Sequence, residues 1–158
     1  ELELAALFRR EKPHVVVTFH GSGISFHPDH RIVSLATMGA FLGAGREGWY
    51  REEPLARLEP HAPDKLYGFV PPWEPGIWSK WPREIYRAFP DEITTVIDTA
   101  ETADTKWEAI RAHHSQKDGP PFRVLWEAGA FRREAFVRIF PSPRPGDPEE
   151  TDLLSGLS

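Results

Sequence analysis

The sequence of 158 residues contains no cysteine and no asparagine, and it has one methionine and one glutamine. Without cysteine the chain forms neither disulfides nor thiolate metal sites, which is compatible with the reducing, cytoplasmic location that we expect. No apolar run approaches the length that spans a bilayer, so we expect no membrane partner. The formal net charge of −5, without a basic stripe interleaved with aromatic residues, argues against nucleic acid.

What the chain does contain is typical of a globular protein. Hydrophobic residues make up 40% of it, and six of these residues are tryptophan. The length favours one domain, which we place at residues 1–140. From residue 141 onward the composition changes to proline, serine, glycine and acidic residues, so residues 141–158 are predicted to be a mobile tail.

The apolar pattern predicts an α/β fold. Helical spacing over residues 2–8, followed by basic residues as far as Lys12, predicts a helix that Pro13 stops, and the continuous apolar run at 15–19 is typical of a buried, parallel strand. Residues 31–44 are apolar nearly all round, which predicts a helix packed inside the protein. We expect a Rossmann-like, mostly parallel sheet flanked by helices. Further strands are predicted at 65–70, 92–100 and 135–140, a helix at 102–116 and a helical turn at 122–130.

The stretch His27-Pro28-Asp29-His30 is the strongest candidate for a functional site. It follows a strand and a Gly/Ser loop and precedes a helix, the arrangement in which α/β folds place their sites. One histidine would serve as a metal ligand and the other as a proton-transfer or oxyanion-stabilising group, with Asp29 orienting an imidazole. The alternative is structural, with Asp29 capping a helix that begins at residue 31 beside two exposed histidines.

Other catalytic patterns are missing from the sequence. It has no HExxH, GxSxG or P-loop motif. Residues 43–48 match GxGxxG by letter, but they follow a helix and are better interpreted as its C-terminal loop. A catalytic zinc needs three protein ligands and an open position, and His30 with one neighbour does not complete that set. His20 is near in sequence, and the other histidines are scattered.

Several segments, in order along the chain, resemble the PIG-L/LmbE-type de-N-acetylases, which are zinc hydrolases acting on N-acetylglucosamine-type groups. HPDH resembles this family's second motif, and the ordered set covers most of residues 1–140. The similar segments are residues 12–19, 27–30, 65–68, 93–98, 113–116 (an H-x-S-Q pattern) and 134–136.

The resemblance implies an amino-sugar substrate and a role for each residue of the motif. His30 would bind Zn²⁺ or another divalent ion, His27 would act as general acid or electrostatic stabiliser, and Asp29 would tune His27. It implies no confident role for His113. The family's first motif, AHPDDE, is absent, so the sheet is expected to lack its N-terminal strands.

Three explanations for this absence stay open: the chain is a fragment of a longer enzyme, it has lost catalysis, or it completes its site by oligomerising. The chain alone is predicted to be inactive and to bind zinc weakly. A different interpretation is a non-catalytic binding or interaction module that uses the aromatic loop at 71–90, whose tryptophans offer flat contact surfaces.

Overall fold

The computed structural model describes residues 1–71, 92–115 and 119–157. These residues form five α-helices, four β-strands and three single turns of 3-10 helix. The helices are α1 Leu2–Glu11, α2 Gly23–Phe26, α3 Pro28–Ala44, α4 Ala103–Arg111 and α5 Gly119–Glu127, and the strands are β1 Val15–Phe19, β2 Lys65–Val70, β3 Thr95–Asp98 and β4 Arg133–Phe140. The 3-10 turns are Leu55–Arg57, Ala100–Thr102 and Ala130–Arg132. No helix of this described part is long and apolar enough to cross a membrane.

The α/β class is confirmed, but the described sheet is mixed and not mostly parallel. Its strand order is β1-β2-β4-β3. Strands β1 and β2 are parallel, joined through α3, whereas β4 runs antiparallel to both of its neighbours, β2 and β3. The continuous apolar run of β1 predicted a parallel strand, which its pairing with β2 confirms, whereas the pattern at 135–140 predicted a strand without a direction.

The predicted elements are present with shifted boundaries. The strand at 65–70 is confirmed, the third strand is shorter than predicted and the last strand begins two residues earlier. The predicted helix at 102–116 ends at Arg111, and the predicted helical turn at 122–130 is the helix α5. Residues 43–48 do form the end of α3 and the loop after it, as predicted.

A buried arginine ties the helices on one side of the sheet together. Helices α1 and α3 pack on each other in the main apolar cluster, which includes Phe8, Phe41 and Leu55. Arg9 lies within this layer at 4% exposure and donates hydrogen bonds to the backbone carbonyls of Ala44, Leu55 and Arg46 at 2.8–3.0 Å. Because Ala44 is the last residue of α3 and Arg46 follows it closely, the guanidinium caps that end of the helix and links it to the 3-10 turn that begins at Leu55.

The expectation that α3 is packed inside was wrong. The side that packs on the protein consists mostly of small residues, among them Ser34, Thr37 and Ala40. Large apolar side chains on the rest of the helix are exposed to solvent, namely Ile32 (63%), Val33 (44%), Leu35 (66%) and Leu42 (56%). Val17 of β1 is also 47% exposed, because side chains alternate along a strand and Val17 lies on the opposite face from the buried Val16 and Thr18.

The C-terminal segment contacts the sheet. Glu150 forms a parallel bridge with Thr95, and its backbone exchanges hydrogen bonds with Thr94 and Val96 at 2.8 and 2.9 Å. The predicted mobility of residues 141–158 concerns dynamics and stays a prediction, but this segment is attached to β3 through Glu150 and also contacts Lys65 of β2 and Arg138 of β4.

Candidate functional site

A tight turn joins β1 to α3 and sets the position of the HPDH residues. Gly23 and Ile24 both have left-handed backbone conformations, with φ of +72° and +64°. A Cβ on Gly23 would lie 2.6 Å from Cγ of Arg31, so only glycine fits there. Ile24 is unusual, because a β-branched residue with positive φ is strained by about 1–3 kcal/mol. Strain of this kind collects at functional sites, and here it lies three residues before His27.

Helix α3 begins at Pro28, so the interpretation in which Asp29 caps a helix starting at residue 31 was wrong. Pro28 occupies the first helical position, where its missing N–H costs nothing. The capping residue is His27, whose backbone is still extended (φ −60°, ψ 125°). The motif therefore forms a helix cap and the first turn of α3.

The His27 ring is held as a hydrogen-bond acceptor at one nitrogen. Nδ1 of His27 accepts from the backbone N–H of Asp29 at 3.3 Å. A nitrogen that accepts carries no proton, so a neutral His27 has its proton on Nε2. The exposed His27 ring consequently offers an N–H donor at its outer nitrogen.

The His30 ring is held in the opposite sense. Its Nδ1 lies 3.1 Å from the backbone carbonyl of Gly23, and a carbonyl only accepts, so Nδ1 donates. The neutral ring then has a lone pair at Nε2, the form in which histidine binds metals. His30 also stacks on Phe19, with ring centroids 3.9 Å apart and an interplanar angle of 8°.

The two predicted site histidines lie side by side. Their ring centroids are 4.7 Å apart. Asp29 contacts His27 through its backbone, and its exposed carboxylate forms no hydrogen bond with the described residues. The turn thus places the two rings side by side at the carboxyl end of β1, one with a donor nitrogen and the other with a lone-pair nitrogen, while the role of Asp29 stays a prediction.

The remaining histidines of the described residues are dispersed. His14 pairs with Asp64, His61 lies 2.8 Å from the carbonyl of Pro13, and His113 contacts the carbonyl of Ala109. Residues 1–71, 92–115 and 119–157 contain no group of three or more histidine, aspartate or glutamate side chains that could hold a metal ion.

His20 follows β1 directly and lines a cavity of about 630 Å³. Its Nδ1 accepts from the backbone N–H of Ser22 at 3.3 Å, so Nε2 carries the proton of the neutral ring. Burial lowers the pKa of His20, and the charge of Glu92 partly opposes this shift. The lowered pKa keeps the ring neutral near pH 7. The other walls of the cavity come from residues 92–94, 137–138, 143–145 and 147–149.

A second polar cluster is centred on Glu150 and includes side chains of β2, β3 and β4. The Glu150 carboxylate accepts hydrogen bonds from Tyr67, Lys65, Thr95 and Arg138 at 2.7–3.0 Å. Burial would raise the pKa of Glu150, but these hydrogen bonds outweigh burial and lower it to about 2. Sequence reasoning missed this cluster. Its signal was Lys65, a cation inside a buried strand, which requires an anionic partner.

Two sequence interpretations fall partly or wholly outside the described residues. The aromatic loop at 71–90 lies outside them except for Pro71. The H-x-S-Q segment is described as far as Ser115, and His113 there is exposed.

Comparison with curated proteins finds similar deacetylases. The chain is 30% identical over 174 residues to 1D-myo-inositol 2-acetamido-2-deoxy-alpha-D-glucopyranoside deacetylase 2 of Saccharopolyspora erythraea, covering 98% of this chain and 58% of that protein. The corresponding deacetylases of Thermobifida fusca and Streptomyces avermitilis are 30% and 31% identical, covering 97% and 98% of this chain and 58% of each relative. The chain thus spans less than two thirds of the length of these relatives.

The fold also resembles a solved structure. The crystal structure of GalB, the 4-carboxy-2-hydroxymuconate hydratase of Pseudomonas putida KT2440, matches with a TM-score of 0.56 at 20% identity. The match covers 90% of this chain and 58% of the hydratase, and it concerns the fold alone. No protein-family model matches the chain.

Proposed function

This chain is a relative of the PIG-L/LmbE-type de-N-acetylases, and from that premise we propose that it carries part of the active site of a hydrolase. The reaction is removal of the acetyl group from an N-acetylglucosamine-type sugar or its conjugate. The relatives, which are deacetylases of a 2-acetamido-2-deoxy-glucopyranoside linked to inositol, support this substrate class.

The observation that carries the proposal is the pairing of two histidines in opposite hydrogen-bonded forms. His30 has a free lone pair at Nε2, and His27 has a donor at Nε2, with ring centroids 4.7 Å apart. Amide hydrolysis needs both kinds of group, because negative charge develops on the acyl oxygen while the amine leaves. A helix N-terminus at the same point adds a favourable field for that charge.

The chemistry of the donors fits zinc at His30. A metal-binding histidine usually donates its second ring N–H to a backbone carbonyl or carboxylate, as His30 does to Gly23. When bound, zinc supplies polarisation of the acyl oxygen and a bound water of lowered pKa. His30 is the one ligand we assign, since the described residues hold no cluster of three or more.

His27 is the electrostatic partner in this proposal. Its Nε2–H donates a hydrogen bond to the developing oxyanion, while the cap to Asp29 N–H fixes the orientation of the ring. Asp29 lies in the first turn of α3 beside His27, and in this proposal it tunes His27, as the family resemblance implies.

The exposed apolar face of α3 supports a site that is completed by further protein. Ile32, Leu35 and Leu42 lie on the helix that begins at the motif, and clustered large apolar side chains in water mark surfaces that become covered. We propose that the remaining ligands and the general base come with the protein that covers this face, whether from the same or a second chain.

Zinc titration by competition with a chelating indicator tests the proposal. We expect wild-type protein to bind zinc weakly and His30→Ala to bind at least about tenfold more weakly, since a ligand is lost. His14→Ala is the matched control, because His14 is an exposed histidine paired with Asp64 away from the motif. Equal zinc affinity in wild type and His30→Ala would contradict the assignment.

The proposed roles of His27 and His30 in deacetylation need a second measurement. In a preparation that releases acetate from an N-acetylglucosamine conjugate, His27→Ser and His30→Ala should lower the rate by about a hundredfold or more. The His14→Ala rate should match wild type. An active His27→Ser variant would remove His27 from the mechanism.

A further inference from the structure

One side of helix α3 presents large apolar side chains to solvent over most of its length. Ile32, Leu35 and Leu42 are all exposed, and their spacing of three and seven residues places them on one side of a helix. We call these three side chains the α3 stripe. Trp49, which is 54% exposed, adds apolar surface at the last turn, because it lies next to Gly43. A stripe of this spacing is typical of a contact with another helix.

Charge is confined to the two ends of the stripe. Residues 32–45 include no acidic or basic residue, whereas Asp29 and Arg31 precede this range and Arg46 and Glu47 follow it. Within residues 1–71, 92–115 and 119–157, no side chain forms an ion pair with Asp29, Arg31 or Glu47. Each end of the stripe therefore has one charge of each sign, and most of these charges have no partner in the described fold.

The middle of the stripe is bordered by Glu1. Its carboxylate lies over Gly39 and accepts a hydrogen bond from the Tyr50 hydroxyl at 2.9 Å. Because this carboxylate already has a hydrogen-bond donor, it needs none from a protein that covers the stripe. Leu35 and Leu42 remain exposed beside it.

The charges at the ends favour one way of pairing two copies of the stripe. In a parallel pair each residue meets its own counterpart, so Asp29 would face Asp29 and Arg31 would face Arg31, and like charges repel. In an antiparallel pair centred between Leu35 and Leu42, these two leucines meet across the twofold axis. Arg31 then lies level with residues 46–47 of the other copy, where Glu47 offers an unpaired carboxylate.

Arg46, the like charge at that level, is already in contact with another side chain. Its guanidinium lies 4.7 Å from the centroid of the Trp49 ring. A cation held on an aromatic face is partly compensated there. Glu47 is thus the group at this end that suits Arg31.

We propose that two copies of this chain associate through their α3 stripes as an antiparallel helix pair, with Leu35 against Leu42 and Arg31 against Glu47. The stripe is complementary to itself in apolar side chains and in charge, as a twofold interface requires. Because the HPDH turn begins α3, each histidine pair lies beside residues 45–49 of the other copy. In the deacetylase proposed above, on which this last clause alone depends, the second copy forms one wall of each site.

Single cysteines test the geometry of the pair without background, because the chain has none of its own. In the antiparallel pair, position 35 of one copy meets position 42 of the other, whereas the two positions 35 are offset by about 10 Å along the helix axis. Disulfides form only where the two Cα atoms lie within about 7 Å. Under mild oxidation, a mixture of Leu35→Cys and Leu42→Cys should form cross-linked dimers, and neither variant alone should do so.

Light scattering after size-exclusion chromatography measures the association directly. We expect wild type at twice the 18.0 kDa of one chain. Leu35→Asp and Leu42→Asp should each raise the dissociation constant about tenfold or more, since a carboxylate would be buried without a partner. Val124→Asp is the matched control, because Val124 is an equally exposed apolar residue on α5, and this variant should remain a dimer.

A charge exchange tests the proposed ion pair. Arg31→Glu should weaken association, because it would place two carboxylates together, and Arg31→Glu combined with Glu47→Arg should restore it. No gain from the second substitution would remove this ion pair from the interface.

Two outcomes would overturn the antiparallel dimer. A monomeric wild type without cross-links in the cysteine mixture would assign the stripe to another segment or a different protein. Cross-linking of Leu35→Cys alone would indicate a parallel pair. Both measurements use protein without metal or substrate, so their result does not depend on whether the deacetylase proposal holds.

Discussion

The histidine pair and the Glu150 cluster are held in opposite ways. His27 and His30 depend on contacts within seven residues of the chain and on one aromatic stack, and His27 is exposed. Glu150 is 10% exposed in its side chain and joins residues that are 12 to 85 positions away. One region is a local turn with unused hydrogen-bonding atoms, and the other is a buried network with its polar atoms satisfied.

The difference separates stability from chemistry. A buried charge that loses its partner lowers the free energy of unfolding by several kcal/mol. Mutations and changes of pH should therefore alter stability most at the Glu150 cluster. Exposed groups held by single hydrogen bonds contribute little to stability and remain available to a substrate or metal. The following changes test this division, beginning with the largest effect on stability.

Glu150→Gln should destabilise the protein by about 3–5 kcal/mol, because Lys65 would remain buried without its anion and Arg138 would keep only Asp147. Urea unfolding measures the loss. The neighbouring exposed Glu149→Gln is the control and should stay within about 0.5 kcal/mol of wild type. A loss below about 1 kcal/mol for Glu150→Gln would mean that the network contributes little.

Acid should weaken the protein through the same carboxylate. The pKa of Glu150 is about 2 in the folded protein against an ordinary 4.5, so the unfolded chain takes up the proton first as pH falls. The ionised Glu150 carboxylate contributes about 3 kcal/mol to the free energy of unfolding. This contribution is present above pH 4.5 and is lost as the pH falls from 4.5 to 2. Urea unfolding at several pH values measures it, and in Glu150→Gln this part of the pH dependence should disappear.

Gly23→Ala tests the support of the histidine pair. The new Cβ would lie 2.6 Å from Cγ of Arg31 on a backbone with φ +72°, which we expect to cost about 1–2 kcal/mol. It should also displace the carbonyl that holds His30 and lower zinc affinity by about tenfold or more. Gly21→Ala is the control, since a Cβ there meets nothing within 4 Å. Unchanged zinc affinity would show that the Gly23 contact is dispensable.

His27→Ser should have the smallest effect on stability, within about 0.5 kcal/mol, because serine is a good N-cap and keeps the bond to the start of α3. His27→Ala removes the cap and should cost about 1 kcal/mol in thermal unfolding. Both variants should lose deacetylation alike. If only His27→Ala lost activity, the imidazole would be a cap and not a chemical group.

Much of the secondary structure could be predicted from local patterns. The apolar run at 15–19 and the motif HPDH predicted a strand, a turn and a helix, and the structure has all three in that order. The start of α3 was placed three residues late, since the pattern did not reveal that His27 would serve as the cap. The prediction that α3 is packed on all sides was wrong, because apolar composition does not show which other parts of the fold contact a helix.

The sequence by itself determined the strand-loop-helix order and the residue types that suit amide hydrolysis, because backbone propensities and side-chain chemistry are local properties. Only the tertiary structure decided the reversed direction of β4, the opposite hydrogen-bonded forms of His27 and His30, and the cavity beside His20. It also brought Glu150 to Lys65, 85 positions away in the chain. These features depend on tertiary contacts, and neither the composition of the chain nor the spacing of its residues specifies such contacts.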